Sequence, residues 1–149
     1  MTFLNNPYLV FATVGLIIQI IVLFLLFYGY SQKRKQKFER HARVMTTAVV
    51  LHLVMILSTM IPALISALIP VFIIPHVSGL TSIVTLIHVP LGLTAVSLGV
   101  WLVVSWRFSG VKGCFKRRKF MLATIVTWPT ALLLGITLYF ILYWSALTG

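Results

Sequence analysis

Four stretches of the chain are almost purely apolar, and nearly all strongly polar residues fall between them. The first runs from about Pro7 to Tyr30, the second from about Val44 to Ile69, the third from roughly Leu80 to Trp106 and the fourth from about Phe120 to Trp144. A helix crosses a bilayer in about 20 residues, so each stretch is long enough to cross with some tilt. Asn5-Asn6 followed by Pro7 reads as a cap with proline at the first helical position. The second stretch is expected to end among Pro70, Pro75 and Gly79, which neither extend a helix comfortably nor build a strand. The pattern predicts an all-α fold, an integral membrane antiparallel four-helix bundle. It forms a single transmembrane domain over 1–149, with spans of about 7–30, 44–69, 80–106 and 120–144.

Composition supports lipid as the solvent. Of 149 residues, 60% are apolar and 9% charged, with a mean hydropathy of +1.09, whereas soluble domains carry about 25% charged residues. Too little polar surface is available to face water. Four crossings take up these 149 residues, so no large extramembrane catalytic domain is expected among them.

The net charge of +11 sets twelve Lys and Arg against one acid, Glu39. In a soluble chain that balance suggests nucleic acid, but position argues against such a partner. Lys33, Arg34, Lys35, Lys37, Arg40 and Arg43 lie between the first and second stretches, and Arg107, Lys112, Lys116, Arg117, Arg118 and Lys119 between the third and fourth. Clusters beside apolar spans are topology determinants and anchors for anionic headgroups. Both fall on one side of a four-span protein. The positive-inside bias makes that side cytoplasmic and puts both termini and the Pro70 to Gly79 connection outside, in a multi-pass protein of the cell membrane. Basic residues follow the first apolar run instead of preceding it, the opposite of a cleaved signal peptide. Cys114 stands alone in a cytoplasmic loop and forms no intrachain disulfide. Tyr8, Tyr28, Tyr30, Trp101, Trp106, Tyr143 and Trp144 lie near span ends and read as headgroup-level belts.

Polar side chains inside lipid are the informative exceptions, because each must find a partner. No Asp, Glu, Lys or Arg lies mid-span, which argues against a carboxylate proton path. Gln19 is read as an interhelical hydrogen bond. His41 and His52 are eleven residues apart, almost three turns, so they point the same way, with Met45 and Met55 near the same stripe. Imidazole and thioether are ligands for haem iron or copper and need no charge in lipid, although methionine is also a common gap-filler. On the third span His88, Gly92, Ala95 and Gly99 share a face. That face is either a small-residue packing seam or room for a flat macrocycle. His52 and His88 both lie near mid-membrane at levels about 10 Å apart, so a joint clamp on haem or metal requires helix shifts. His76, after Pro75, is placed to pair with His88 instead. No nucleophile, base and acid set, glycine-rich phosphate loop or zinc-type cysteine spacing is present, so the chain reads as non-enzymatic. Pro129 is expected to kink the fourth helix and free a carbonyl near Ile125, with Thr124 a candidate to satisfy it.

Several runs carry a resemblance: LNNPYLV at the start, GYSQKRKQKFERHARVM into the second span, LIHVPLG in the third and RRKFMLATIVTWPTALLLGITLYFILYW in the fourth. Over its whole length the chain resembles the small four-helix membrane proteins of domain of unknown function family four hundred and twenty. The most specific pieces are Gly29, Tyr30, His41, Met45 and His88, with Trp128, Gly135 and Tyr139 adding to them. The family includes a factor for maturation of a-type haem-copper oxidases. The resemblance therefore implies handling of haem or copper, or scaffolding, with His41, Met45 and His88 as the carried-over positions. The family pattern has a further histidine near the outer end of the second span, where residues 61–69 here hold none; His52 and His76 are this sequence's own.

Three readings follow. The first is a non-catalytic membrane protein that assists assembly of, or forms part of, a respiratory or other metalloenzyme complex such as an oxidase. In it His41, His52, His88 and His76, with Met45 and Met55 as metal ligands, bind haem b or copper. The second is an accessory structural subunit of a haem-copper oxidase or copper membrane monooxygenase whose histidines bind nothing. The third is a b-type electron-transfer cytochrome. Membrane lipids and partner subunits are the expected partners.

Overall fold

The computed structural model describes residues 7–148, with the side chains of 7, 8, 109, 111–116 and 145–148 excepted. The proposed Asn5-Asn6 cap and the side chains of Tyr8 and Cys114 therefore lie outside the described residues. The fold is all-helical, with no strand among the described residues. Its elements are α1 (Pro7–Arg34), α2 (Phe38–Met55), a π-helical stretch Ile56–Met60, α3 (Ile61–Ala63), a second π-helical stretch Leu64–Ile73, α4 (Leu80–Lys116) and α5 (Arg118–Thr148). Four helical segments, Leu9–Arg34, Phe38–Ile73, Leu80–Phe108 and Arg118–Trp144, are long and apolar enough to cross a membrane.

Inward-facing residues recur at alternating steps of four and three, the spacing that lines one stripe of a packed helix. On α1 the stripe is Gly15, Gln19, Val22, Leu26 and Gly29, all buried. On α2 it is His41, Met45, Ala48, His52 and Met55, all buried except the half-buried Met45. The two stripes face each other in antiparallel register: Gly15 lies against Met55, Gln19 against His52, and Gly29 against Met45. A Cβ on Gly29 would lie 2.7 Å from Met45 Sδ, and one on Gly15 would lie 3.2 Å from Met55 Cε. The two glycines thus admit the two methionines. The α5 stripe runs Thr124, Trp128, Ala131, Gly135 and Leu138, and α4 meets it through His88 at Gly135 and Gly99 at Trp128. α1 and α4 each pack on both α2 and α5. The centre is a cluster of Val22, Leu26, Ala48, Val49, Ala95 and Trp128.

Away from the basic helix ends, the outward-facing helix surface is mostly apolar. Phe11 and Phe24 are 68% and 69% exposed, while the serine and threonine hydroxyls of Thr46, Ser58, Thr94 and Thr130 donate to the carbonyl four residues back in their own helix. Hydroxyls satisfied in this way suit a surface without water. Because the long helices alternate in direction, the termini that carry the basic residues meet at one end of the bundle.

Two features depart from the sequence expectations. Helix formation reaches well into the basic stretch, since α1 ends at Arg34 and α2 begins at Phe38. The intervening turn has Gln36 at φ 57°, its N–H donating to Lys33 O and that of Lys37 to Gln32 O, the double bond of a Schellman closure. The second departure is that the helix does not stop at Pro70. It passes Pro62 and Pro70 and ends at Ile73 by widening to π geometry, with Ile74 N–H still donating five residues back to Ile69 O. A proline lacks an N–H and presses on the carbonyl four residues back, and the wider turn moves that carbonyl away. No residue of 56–73 is buried. α5 also continues through Pro129, and the Thr124 hydroxyl donates to Phe120 O rather than to Ile125 O. At the other end of α4, Gly110 takes φ 55° and ψ −148° and bends the helix, a conformation that needs glycine.

Candidate functional site

Three of the four histidines are drawn into the bundle by the stripes just described. His41, one turn inside α2, directs Nδ1 to Gly29 O at 2.8 Å. His52, in mid-helix and 6% exposed, directs Nδ1 to Gln19 Oε1 at 2.8 Å. His88 on α4 directs Nδ1 to Ala131 O at 2.9 Å. Its ring fills the space left by Gly135, where a Cβ would lie 3.2 Å from His88 Cε1. Carbonyl oxygens only accept, so each ring carries its proton on Nδ1 and holds a lone pair on Nε2. A metal-binding histidine is oriented in this way, with its other nitrogen donating to a carbonyl or carboxylate. Among the described residues no hydrogen bond occupies Nε2 of any of the three.

His52 has the most constrained surroundings. Its ring lies 4.5 Å from that of Trp128 at an interplanar angle of 46°, and Trp128 is itself wedged against Gly99, where a Cβ would meet it at 3.1 Å. His52 Nε2, Gln19 Nε2 and Trp128 Nε1 are all buried without a hydrogen-bond partner. Unpaired buried polar atoms are costly, so three around one imidazole mark a polar knot that packing alone does not explain.

Towards the basic end, a cavity of about 50 Å³ lies between α2, α4 and α5. Its lining includes His41, Met45, Trp106, Met121, Thr124 and Trp128. Of the methionine candidates, Met45 borders this cavity while Met55 is buried against Gly15. The stripe of His41 and His52 faces α1, and of the two only His41 also borders the cavity. His76 stands apart: it is exposed in the turn before α4, its carbonyl accepts bonds from Ser82 Oγ and Gly79 N, and among the described residues no hydrogen bond or ring contact joins it to His88. No cluster of three or more His, Cys, Asp or Glu side chains is placed to hold a metal among the described residues. A site here would therefore combine imidazole with thioether, or use two imidazoles.

Sequence reasoning does not single out Met121, and it gives Gln19 an interhelical bond without naming His52 as the partner. The four-three spacing of 15, 19, 22, 26 and 29 against 41, 45, 48, 52 and 55 is the signal that pairs them. A further polar link joins the opposite end of the bundle, where Thr13 donates to Leu9 O at 2.7 Å and lies 2.7 Å from the Tyr139 hydroxyl. Comparison of the chain with protein-family models, with characterised proteins and with solved structures finds no match to any of them.

Proposed function

We propose that the chain is a non-catalytic multi-pass membrane protein that assists the assembly of, or forms part of, a respiratory or other metalloenzyme complex, and that its inward histidines serve as copper ligands. The observation that carries this reading is the shared arrangement of His41, His52 and His88, each with Nδ1–H fixed on a carbonyl and Nε2 left as a lone pair. Imidazole nitrogen with thioether sulfur suits a soft monovalent copper ion. His41, Met45 and Met121 border one cavity and would hold such an ion, which supplies redox-active or transferable metal. The size of that cavity favours an ion over haem: pockets that take a cofactor run to about 300–1,000 Å³, against about 50 Å³ here. The resemblance to a four-helix family of unknown function that includes a maturation factor for a-type oxidases implies handling of haem or copper, or scaffolding, of which copper is the ion this cavity suits.

The proposed topology places the basic end in the cytoplasm and both termini outside, from the twelve cations at that end and the positive-inside bias. Protease accessibility of terminal tags in oriented vesicles tests it. The copper reading is tested on detergent-purified protein equilibrated with Cu(I) against a competing chelator, with metal content and the visible spectrum measured together. Equimolar copper that is lost in His41→Leu and Met121→Leu but kept in His76→Gln is the expected result. A haem absorption band lost in His52→Leu or His88→Leu would replace it with the cytochrome reading. Binding of neither by a folded protein would leave the accessory structural subunit.

A further inference from the structure

The basic end holds a second cavity, of about 360 Å³, on the outer side of the α1–α5 contact. It is lined by Tyr30, Lys33 and Arg34 from the last turns of α1 and by Arg118, Met121, Leu122 and Ile125 from the first turns of α5. Three cations therefore converge on one open space from two helices. Glu39, the chain's only acidic residue, is not among its lining residues, and no ion pair neutralises Lys33, Arg34 or Arg118 among the described residues. Among the described residues the Lys33 ammonium donates to Met121 Sδ at 3.0 Å, a weak and uncharged acceptor. Like charges held together without an anion repel each other, and an anion seated among them removes that repulsion.

The chemistry of the walls narrows the identity of that anion. The cavity is basic at the end of the bundle, but its α5 side continues inward as Met121, Leu122 and Ile125, with Leu122 46% exposed. A free phosphate would use only the cations. A phospholipid would use both, its phosphodiester among the cations and an acyl chain along Leu122 and Ile125, with the Tyr30 ring at headgroup depth. Basic pockets between membrane helices at the cytoplasmic face suit anionic headgroups. We propose that the cleft between α1 and α5 is a stoichiometric binding site for one anionic phospholipid, its phosphate held by Lys33, Arg34 and Arg118. This inference rests on the membrane insertion proposed above; the cleft shares Met121 with the proposed metal site, and none of the variants that test the lipid alters that residue.

The test uses full-length protein in bilayer nanodiscs of pure phosphatidylcholine or of phosphatidylcholine containing phosphatidylglycerol, with lipid retained after delipidating detergent exchange read by native mass spectrometry. Incorporation into pure phosphatidylcholine discs with full helix content checks insertion separately. If incorporation fails, the membrane reading falls, and if it succeeds without selective retention, only the lipid site falls. One retained phosphatidylglycerol per chain is expected. Each of Lys33→Gln, Arg34→Gln and Arg118→Gln should weaken retention about fivefold, the contribution of one cation near an anionic surface, and Lys33→Arg should restore it. Lys35→Gln and Lys37→Gln remove the same charge from the adjoining turn and should leave retention unchanged. Equal loss in these two controls would show a diffuse field rather than a site and overturn the proposal. Displacement of the lipid by millimolar inorganic phosphate would overturn it in favour of a free-anion site.

Discussion

Replacing both members of the Gln19–His52 pair with leucine is predicted to leave the bundle at least as stable as the wild type. The pair supplies one interhelical hydrogen bond of 2.8 Å, and such bonds between membrane helices average about 0.6 kcal/mol. The ring contact of His52 with Trp128 at 4.5 Å adds about 0.5–1.5 kcal/mol. Against these stand Gln19 Nε2 and His52 Nε2, buried and unpartnered, each costing about 1–3 kcal/mol. The two orphaned atoms outweigh the two contacts, so Gln19→Leu/His52→Leu should match the wild type or exceed it by about 1–2 kcal/mol. The single variants should behave oppositely. Each single variant removes one unpaired atom and creates another, so Gln19→Leu should lose only the bond, about 0.6 kcal/mol, and His52→Leu the bond and the ring contact, about 1–2 kcal/mol. Unfolding in mixed micelles of rising dodecyl sulfate content, followed by circular dichroism, measures all four proteins. A double variant that is the least stable of the four would refute the reasoning. It would show that the polar pair holds α1 to α2, and the inference that His52 Nε2 is kept open for a ligand would lose its energetic basis.

Other sites give independent checks. Gly29→Val places a side chain where even a Cβ would lie 2.7 Å from Met45 Sδ; a loss of about 1–3 kcal/mol from overpacking is expected, partly recovered by adding Met45→Ala, and an unchanged unfolding midpoint would refute the close approach. Gln36→Gly relieves the left-handed φ of 57° in the α1–α2 turn and should stabilise by about 1 kcal/mol, measured in the same titration. Tyr139→Phe removes the bond to Thr13 and should cost about 0.5–1.5 kcal/mol, with no further loss on adding Thr13→Val. Gly135→Ala should push His88 off Ala131 O, and imidazole nitrogen shifts in an NMR spectrum should then lose the signature of a single Nδ1–H tautomer.

Much of the helical bundle is legible in the sequence, but the side each helix turns inward is not legible from hydrophobicity. Phe24 at 69% exposed and Val22 at 0% lie two residues apart on α1 and are equally apolar, so the usual contrast between core and surface is missing. The exceptions carry the information instead. Gly15, Gln19 and Gly29 on α1, and His41 and His52 on α2, are small or polar residues in apolar helices, and their four-three spacing marks the seam. The helix ends are harder to read because hydropathy changes where the apolar surface stops, whereas backbone hydrogen bonding does not. Glu39, Arg40 and Arg43 are charged and still helical. The passage of the helix through Pro62 and its π-helical passage through Pro70 are hidden for another reason, since proline signals only that the ordinary i to i−4 bond is lost. Whether the chain then breaks or widens depends on the next available carbonyl.

The histidines divide along the same line. Periodicity alone puts His41 and His52 on one stripe and His88 on a small-residue face, but it leaves open which ring nitrogen is free. That is decided by the opposite helix: Gly29 exposes a carbonyl to His41, Gln19 extends an amide oxygen to His52, and Gly135 lets His88 reach Ala131 O. A hydrogen bond of this kind would stitch two helices together in a protein that binds nothing, so its presence does not separate packing from ligation. The difference lies at the other nitrogen. A histidine retained only for packing gains from being replaced when its second nitrogen is buried and unpaired, as it is in His52, because leucine would fill the same space without the cost. A histidine retained as a ligand keeps that cost in the apo protein and recovers it when the lone pair is engaged. The two cases therefore diverge in one measurement: addition of Cu(I) should stabilise the wild type relative to the double leucine variant if His52 Nε2 is a ligand, and should leave the difference between them unchanged if it is not.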